Sequence, residues 1–176
     1  MIATRLGGLF YLLNLAVYVG IYHDFTQVAN PGWELSPWDY LALLGRYWLG
    51  AALQADPLWF LLARLANRPE DEEPGAGFLP PPGWQDELLA NLSLEDGENW
   101  LGTLAAALEK RLRQALGDDQ PLRFLYQPAQ IWLSSTRLDI HYALASHPVA
   151  LRMAGLDRDL GWLPAAGMYL YYHYDD

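Results

Sequence analysis

The hydrophobic pattern of the chain begins with a long uncharged run. It starts at Leu6 and ends at Tyr22, with Arg5 before it and His23 after it. A helix that crosses a membrane needs about 20 mostly apolar residues, whereas this run is shorter and carries Asn14 near its middle. A helix of a soluble protein that is apolar all round is buried. We therefore predict a buried core helix, with a membrane anchor as the alternative.

Two further apolar helices are predicted directly behind this run. Ser36 and Asp56 are favoured N-cap residues, and each is followed by a proline, which suits the first helical position. Apolar residues then recur at helical spacing, which predicts a helix of about 17 residues after Ser36. The second helix is predicted to end near Ala66, before an Asn and a Pro. Together the two helices can cover the first one.

An amphipathic helix is predicted later in the chain, over residues 99–117. Trp100 starts a series of apolar residues at intervals of four, which continues with Leu104, Leu108, Leu112 and Leu116. Glu109 and Arg113 stand four apart, a pairing that stabilises helices. Gly117 is the residue type favoured just past a helix end.

From Pro121 onward the hydrophobic period changes from helical to alternating. The segments RFLYQ, QIWLSS, RLDIHYAL and MYLYYHY are rich in aromatic and apolar residues and predict strands. Alternation in the last two predicts a sheet that helices cover on one side. The predicted fold class is α+β, with N-terminal apolar helices, an amphipathic helix and a small antiparallel β-sheet at the C-terminus.

The stretch between the helical part and the sheet is predicted to be an acidic linker. It is rich in proline and glycine, and residues 67–100 hold nine acidic residues against Arg68. One short helical turn is predicted within it, over residues 85–92. The predicted organisation is a helical part at 1–66, a linker at 67–97, and a helix plus sheet at 98–176. The two outer parts can also form one domain.

Composition and charge narrow the class of protein. The chain has 176 residues, of which 52% are hydrophobic and 14% aromatic, so it can bury a core and is not of the disordered class. It has no cysteine, which excludes disulfides and favours a cytoplasmic location. Its net charge of −10 would repel a phosphate backbone. We therefore expect no nucleic-acid partner.

Four residues of the predicted strands could carry chemistry. Asp139 and His141 share one face of their strand, as do His173 and Asp175 of theirs, because residues two apart on a strand point the same way. If the two strands were adjacent, the imidazoles and carboxylates could bind a divalent metal. The simpler interpretation, which we favour, is that they are the polar positions of a half-exposed sheet. We expect no cofactor.

A second candidate site is the loop GLDRDLGWLP. It begins like a calcium-binding loop, but Gly161 and Met168 stand where such a loop needs acidic residues. We favour a rigid, exposed loop in which the two aspartates accept turn hydrogen bonds and an arginine pairs with a carboxylate. Such a loop could contact a partner protein, and its candidate residues are Arg152, Gly155, Asp157, Arg158, Asp159, Trp162 and Pro164.

Sequence motifs typical of catalysis are absent. The chain contains no G-x-S-x-G, no phosphate-binding P-loop, no G-x-G-x-x-G and no H-E-x-x-H. The sequence therefore favours a protein that is not an enzyme. The alternative is a metal-binding domain or an enzyme that uses the four Asp and His residues of the strands.

The two ends of the chain resemble a known group of proteins. The segment TRLGGLFYLLNLAVYVGIYHDFT, at residues 4–26, and LDIHYAL with VALRMAGLDRDLGWLPAAGMYLYYHY, within residues 138–174, carry the likeness. They resemble uncharacterised proteins encoded in bacterial gene clusters for extracellular contractile injection systems, which are phage-tail-like particles. The group's pattern has proline where this chain has Leu160. The resemblance implies an accessory or assembly role with protein partners, and it assigns no catalytic residue.

Overall fold

The fold is that of a computed structural model, which describes residues 1–23, 28–88 and 99–176. Seven α-helices lie in these ranges: α1 (Tyr11–Tyr18), α2 (Pro37–Leu49), α3 (Ala51–Gln54), α4 (Pro57–Leu65), α5 (Trp84–Leu88), α6 (Trp100–Leu116) and α7 (Val149–Met153). Five strands form one sheet: β1 (Ile2–Thr4), β2 (Ala129–Leu133), β3 (Arg137–Ala143), β4 (Gly161–Leu163) and β5 (Met168–Asp175). Helices and a mostly antiparallel C-terminal sheet confirm the predicted α+β class.

The opening apolar run is mostly buried, but only part of it is α-helix. A 3-10 turn at Gly7–Phe10 precedes the eight residues of α1. The turn is fully buried, whereas α1 is buried only up to Ala16, with Asn14 half-buried, and ends on Val17 and Tyr18, which are 37% and 67% exposed. The turn is tight because Gly7 and Gly8 bring the backbone against Ala129 and Phe124, where a side chain would not fit. Within the described residues, no helix is both long enough and apolar enough to cross a bilayer.

The predicted helix caps are present. The Ser36 hydroxyl accepts a hydrogen bond from the Asp39 amide at 3.0 Å, and the Asp56 carboxylate accepts one from the Leu58 amide at 2.9 Å. The helix after Ser36 is shorter than predicted, because Gly50 with φ of 53° ends α2 before α3 begins.

The amphipathic helix α6 also has the predicted ends. Asn99 caps its start, and Gly117 ends it in the left-handed conformation with φ of 62°. Glu109 and Arg113 form the predicted ion pair at 3.1 Å. Local sequence therefore determines where this helix begins and ends.

The sheet is mixed, which corrects the expectation of a purely antiparallel one. The strand order is β1-β2-β3-β5-β4, and β3 pairs with β5 in parallel. The pairing is parallel because a crossover through α7 and β4 separates the two strands along the chain. The N-terminal strand β1 forms one edge beside β2, although the sequence predicted only helix in that part.

The segment RFLYQ was predicted to be a strand, and this prediction was wrong. Arg123–Tyr126 is a 3-10 turn. Phe124 and Leu125 are consecutive and both buried. A strand would point them to opposite faces, whereas a tight turn can bury both against the opening segment.

One hydrophobic cluster includes side chains from the N-terminal helices, from α6 and from the sheet. Part of the predicted linker joins it: the rings of Phe78 and Trp84 lie 5.3 and 5.7 Å from that of Trp33. Arg68 binds Asp39 at 3.0 Å and ties the same stretch to α2. Of the short helix predicted at 85–92, the described part lies in α5. Residues 89–97 of the predicted linker lie outside the described range.

Candidate functional site

The two faces of the sheet differ in what covers them. The core face is buried against the helices and the opening turn, and β3 shows this as strict alternation of buried with more exposed positions. On the opposite face, none of the side chains that the structure describes is fully buried. We call this second surface the open face, and its main residues are Gln130, Trp132, Arg137, Asp139, His141, Trp162, Tyr169, Tyr171, His173 and Asp175.

The four candidate residues of β3 and β5 meet at the centre of the open face. The register of the parallel pair places His141 directly beside His173. Their rings stack with centroids 4.3 Å apart and planes 23° from parallel. His141 Nδ1 lies 2.7 Å from the Asp175 carboxylate, and His173 Nε2 lies 2.6 Å from that of Asp139. Each imidazole is therefore paired with a carboxylate of the other strand.

Three residues that the sequence did not single out extend this cluster. The Trp132 ring contacts the His141 ring with centroids 4.3 Å apart. Arg137 donates from Nε to Asp139 at 2.9 Å, and its guanidinium lies over the Tyr171 ring at 4.7 Å. Alternation along the strands could have identified Arg137 and Tyr171. Each stands an even number of positions from the Asp and His residues of its own strand and so points to the same face. Trp132 could be assigned to the cluster only from the register of β2, which places it opposite Asp139.

The electrostatics of the cluster favour an ionised carboxylate at Asp139. Partial burial alone would raise the pKa of Asp139, but hydrogen bonds from Arg137 and His173 outweigh it and lower the pKa below the usual aspartate value. The same Asp139 bond raises the pKa of Arg137. The two side chains are therefore a fixed ion pair at neutral pH.

The arrangement of donors bears on the metal-site alternative. Across the described ranges, no three His, Cys, Asp or Glu side chains are placed to hold a metal ion together. Each carboxylate hydrogen-bonds an imidazole, and Asp139 also binds a guanidinium. The imidazoles and carboxylates therefore hydrogen-bond one another in pairs. Together these bonds orient the two stacked imidazole rings at the surface.

The second candidate site, the loop before β4, is held by internal hydrogen bonds. Asp157 is almost buried, and its carboxylate binds His147 Nε2 at 3.0 Å and Arg152 Nε at 3.2 Å. The Arg152 pair is the predicted arginine–carboxylate contact. The Asp159 carboxylate accepts a hydrogen bond from the Tyr172 amide at 2.7 Å. Both aspartates of the calcium-like pattern thus serve internal contacts.

The same loop is tied to helix α1 and reaches the open face. Asn14 donates from its side-chain amide to the carbonyls of Leu156 and Arg158, at 2.8 and 3.0 Å. Arg158 itself is exposed, Gly155 makes the turn with φ of 71°, and Pro164 is half-buried after β4. Trp162 lies on β4, where its ring contacts that of Tyr169 at 5.1 Å. Through Trp162, the loop and the open face form one continuous surface.

Comparison with known proteins finds no protein-family model, no curated protein and no solved structure that matches this chain. The role of the open face is therefore inferred from its own residues. These supply stacking rings, fixed ion pairs and oriented imidazoles.

Proposed function

We propose that the protein is a non-enzymatic accessory or assembly factor of a contractile injection apparatus, acting in the cytoplasm through protein–protein contacts of the open face. The observation that carries the proposal is the exposure of aromatic side chains on that face. Trp132 is 40% and Tyr169 43% exposed, and Trp162 and Tyr171 stand beside Tyr169. Clustered exposed apolar surface marks interaction sites, and aromatic and arginine side chains are enriched in protein interfaces.

The setting of the proposal comes from the two stretches that resemble proteins of these gene clusters. The opening turn and α1 carry one of them, while β3, the loop and β5 carry the other. They contact each other: Tyr142 and Tyr172 donate to the carbonyls of Gly7 and Phe10, both at 2.9 Å. The similarity therefore falls on one packed unit that includes most of the open face, which supports a shared binding role.

Co-purification from the native gene cluster tests the proposal. The tagged chain should retrieve a particle component, identified by mass spectrometry, and should elute with it on size exclusion with light scattering. Replacing Trp132 and Tyr169 together with serine should abolish this association, because it removes one exposed ring on each side of the central strand β3. The matched control replaces Tyr47 and Phe60, which are 53% and 52% exposed on the helical side.

Both double variants should keep the circular dichroism spectrum of the wild type, since exposed positions contribute little to stability, within about 0.5 kcal/mol at each site. The proposal fails if the wild-type chain stays monomeric and retrieves no particle component. It also fails if the helical-side variant loses the component and the open-face variant retains it.

A further inference from the structure

We infer that the open face binds a basic segment of its partner, one whose arginine or lysine side chains lie against its rings and carboxylates. The inference rests on the proposed function, because it takes the open face to be the contact surface. It adds the chemical class of partner segment that this surface binds.

The open face carries rings and carboxylates together. Tyr169 and Tyr171 stack with their planes only 4° apart, so they present a continuous aromatic strip along β5. The carboxylates of Asp139 and Asp175 lie on the same face, and that of Asp175 is 64% exposed. A cation over an aromatic ring is attracted by the ring's electron-rich face. A carboxylate beside the ring adds a charge-assisted hydrogen bond.

The chain already holds one cation between a ring and a carboxylate of this face. The Arg137 guanidinium lies over the Tyr171 ring and donates to Asp139. It shows that the spacing of ring and carboxylate on these strands suits a planar guanidinium. A partner arginine would meet exposed rings at Trp132 and Tyr169 on the same face.

A groove lies at one end of the open face. A cavity of about 450 Å³ is lined by Ala3, Gln130, His141, Asp175 and Asp176. Asp175 is held in place by His141, and both aspartates are exposed. A groove with two carboxylates suits the charged end of one long basic side chain, while the rest of the segment crosses the rings.

Charge complementarity favours a basic segment. The chain carries a net charge of −10, but residues 67–100 contribute most of it, so the charges that bear on a partner here are the carboxylates of Asp139, Asp175 and Asp176. Arg137 is already committed to Asp139, and so it leaves the carboxylates of the groove for a partner.

The experiment uses the full chain and three capped synthetic peptides of equal length. One alternates arginine with serine, one replaces each arginine with neutral citrulline, and one replaces it with glutamate. Titration by calorimetry should show binding of the arginine peptide only. Amide chemical-shift changes should be confined to β2, β3 and β5. Trp132→Ser and Asp175→Asn should each weaken binding about tenfold, whereas Tyr47→Ser and Asp119→Asn should leave it unchanged.

Two results would overturn the inference: equal binding of the citrulline or glutamate peptide, and equal loss of affinity in the Asp119 variant, which would indicate non-specific charge attraction. These results are distinguishable from failure of the proposed function. If a particle component is retrieved through the open face but the arginine peptide does not bind, only the inference about basic segments fails. If the peptide binds and no component is retrieved, only the contractile-apparatus role fails.

Discussion

The two faces of strand β5 carry the same residue type in opposite roles. On the core face, Tyr172 is buried and donates to the Phe10 carbonyl at 2.9 Å. One position earlier, on the open face, Tyr171 stacks on Tyr169, which is 43% exposed. The sheet uses tyrosine inside to fix the opening segment and tyrosine outside to offer a ring surface. Changes on the core face should therefore affect stability, and changes on the open face should affect binding.

High pH should expose this difference most strongly. Burial raises the pKa of Tyr142 and Tyr172 well above the ordinary value, and also that of Tyr11 behind them. A raised folded-state pKa means that the stabilisation is complete below the unfolded pKa of about 10 and is lost above it. Each tyrosine that ionises only on unfolding lowers the unfolding free energy by about 1.4 kcal/mol per pH unit.

We expect the tyrosinate absorbance of Tyr11, Tyr142 and Tyr172 to appear only together with loss of the far-ultraviolet circular dichroism, because these buried side chains ionise on unfolding. Complete tyrosinate absorbance near pH 10 with the circular dichroism retained would contradict the burial of the core-face tyrosines.

The next largest effect is expected for Gly8→Ala. A Cβ at this position would lie 1.9 Å from the Phe124 carbonyl oxygen, which is backbone and cannot move aside cheaply. Overpacking of this kind should lower the free energy of unfolding by about 3 kcal/mol, measured by urea denaturation. Gly102→Ala on α6 is the control, because its Cβ would meet only ordinary contacts, at 3.4 Å and beyond. That variant should be neutral or up to about 1 kcal/mol more stable.

Removing a single tyrosine hydroxyl should have a smaller effect on stability, and one that differs between the two faces. Tyr142→Phe removes the bond to the Gly7 carbonyl and leaves that buried acceptor without its partner. The free energy of unfolding should fall by about 1–2 kcal/mol. Tyr169→Phe removes a hydroxyl from the open face and should change stability by less than about 0.5 kcal/mol. Equal losses in the two variants would show that the core-face bond contributes nothing specific.

The smallest effect concerns the ion pair at the centre of the open face. The lowered pKa of Asp139 means that its stabilisation is complete above the ordinary aspartate pKa, about 4, and is lost as pH falls below it. Asp139→Asn should therefore cost no more than about 1 kcal/mol at neutral pH. The difference from the wild type should vanish in acid. Asp119→Asn, at an exposed position, is the control and should change the free energy of unfolding at neutral pH by less than about 0.5 kcal/mol.

Much of the fold was predictable because it depends on short-range contacts. The hydrogen bonds from Asp39 to Ser36 and from Leu58 to Asp56 join residues three and two apart. Alternation in β3 and β5 likewise identified the shared faces of the Asp and His residues. RFLYQ shows the limit, because composition favoured a strand while the packing of Phe124 and Leu125 required a turn.

The sequence by itself determined the helix ends, the α+β class, and which residues of each strand point the same way, since these follow from backbone geometry within a few positions. Only the tertiary structure decided that β3 and β5 lie parallel, so that His141 meets Asp175 across 34 residues of chain. It also placed β1 at the sheet edge and the glycine turn against Phe124. The physical reason is that strand pairing and close packing depend on partners far away in sequence, whose register no local pattern encodes.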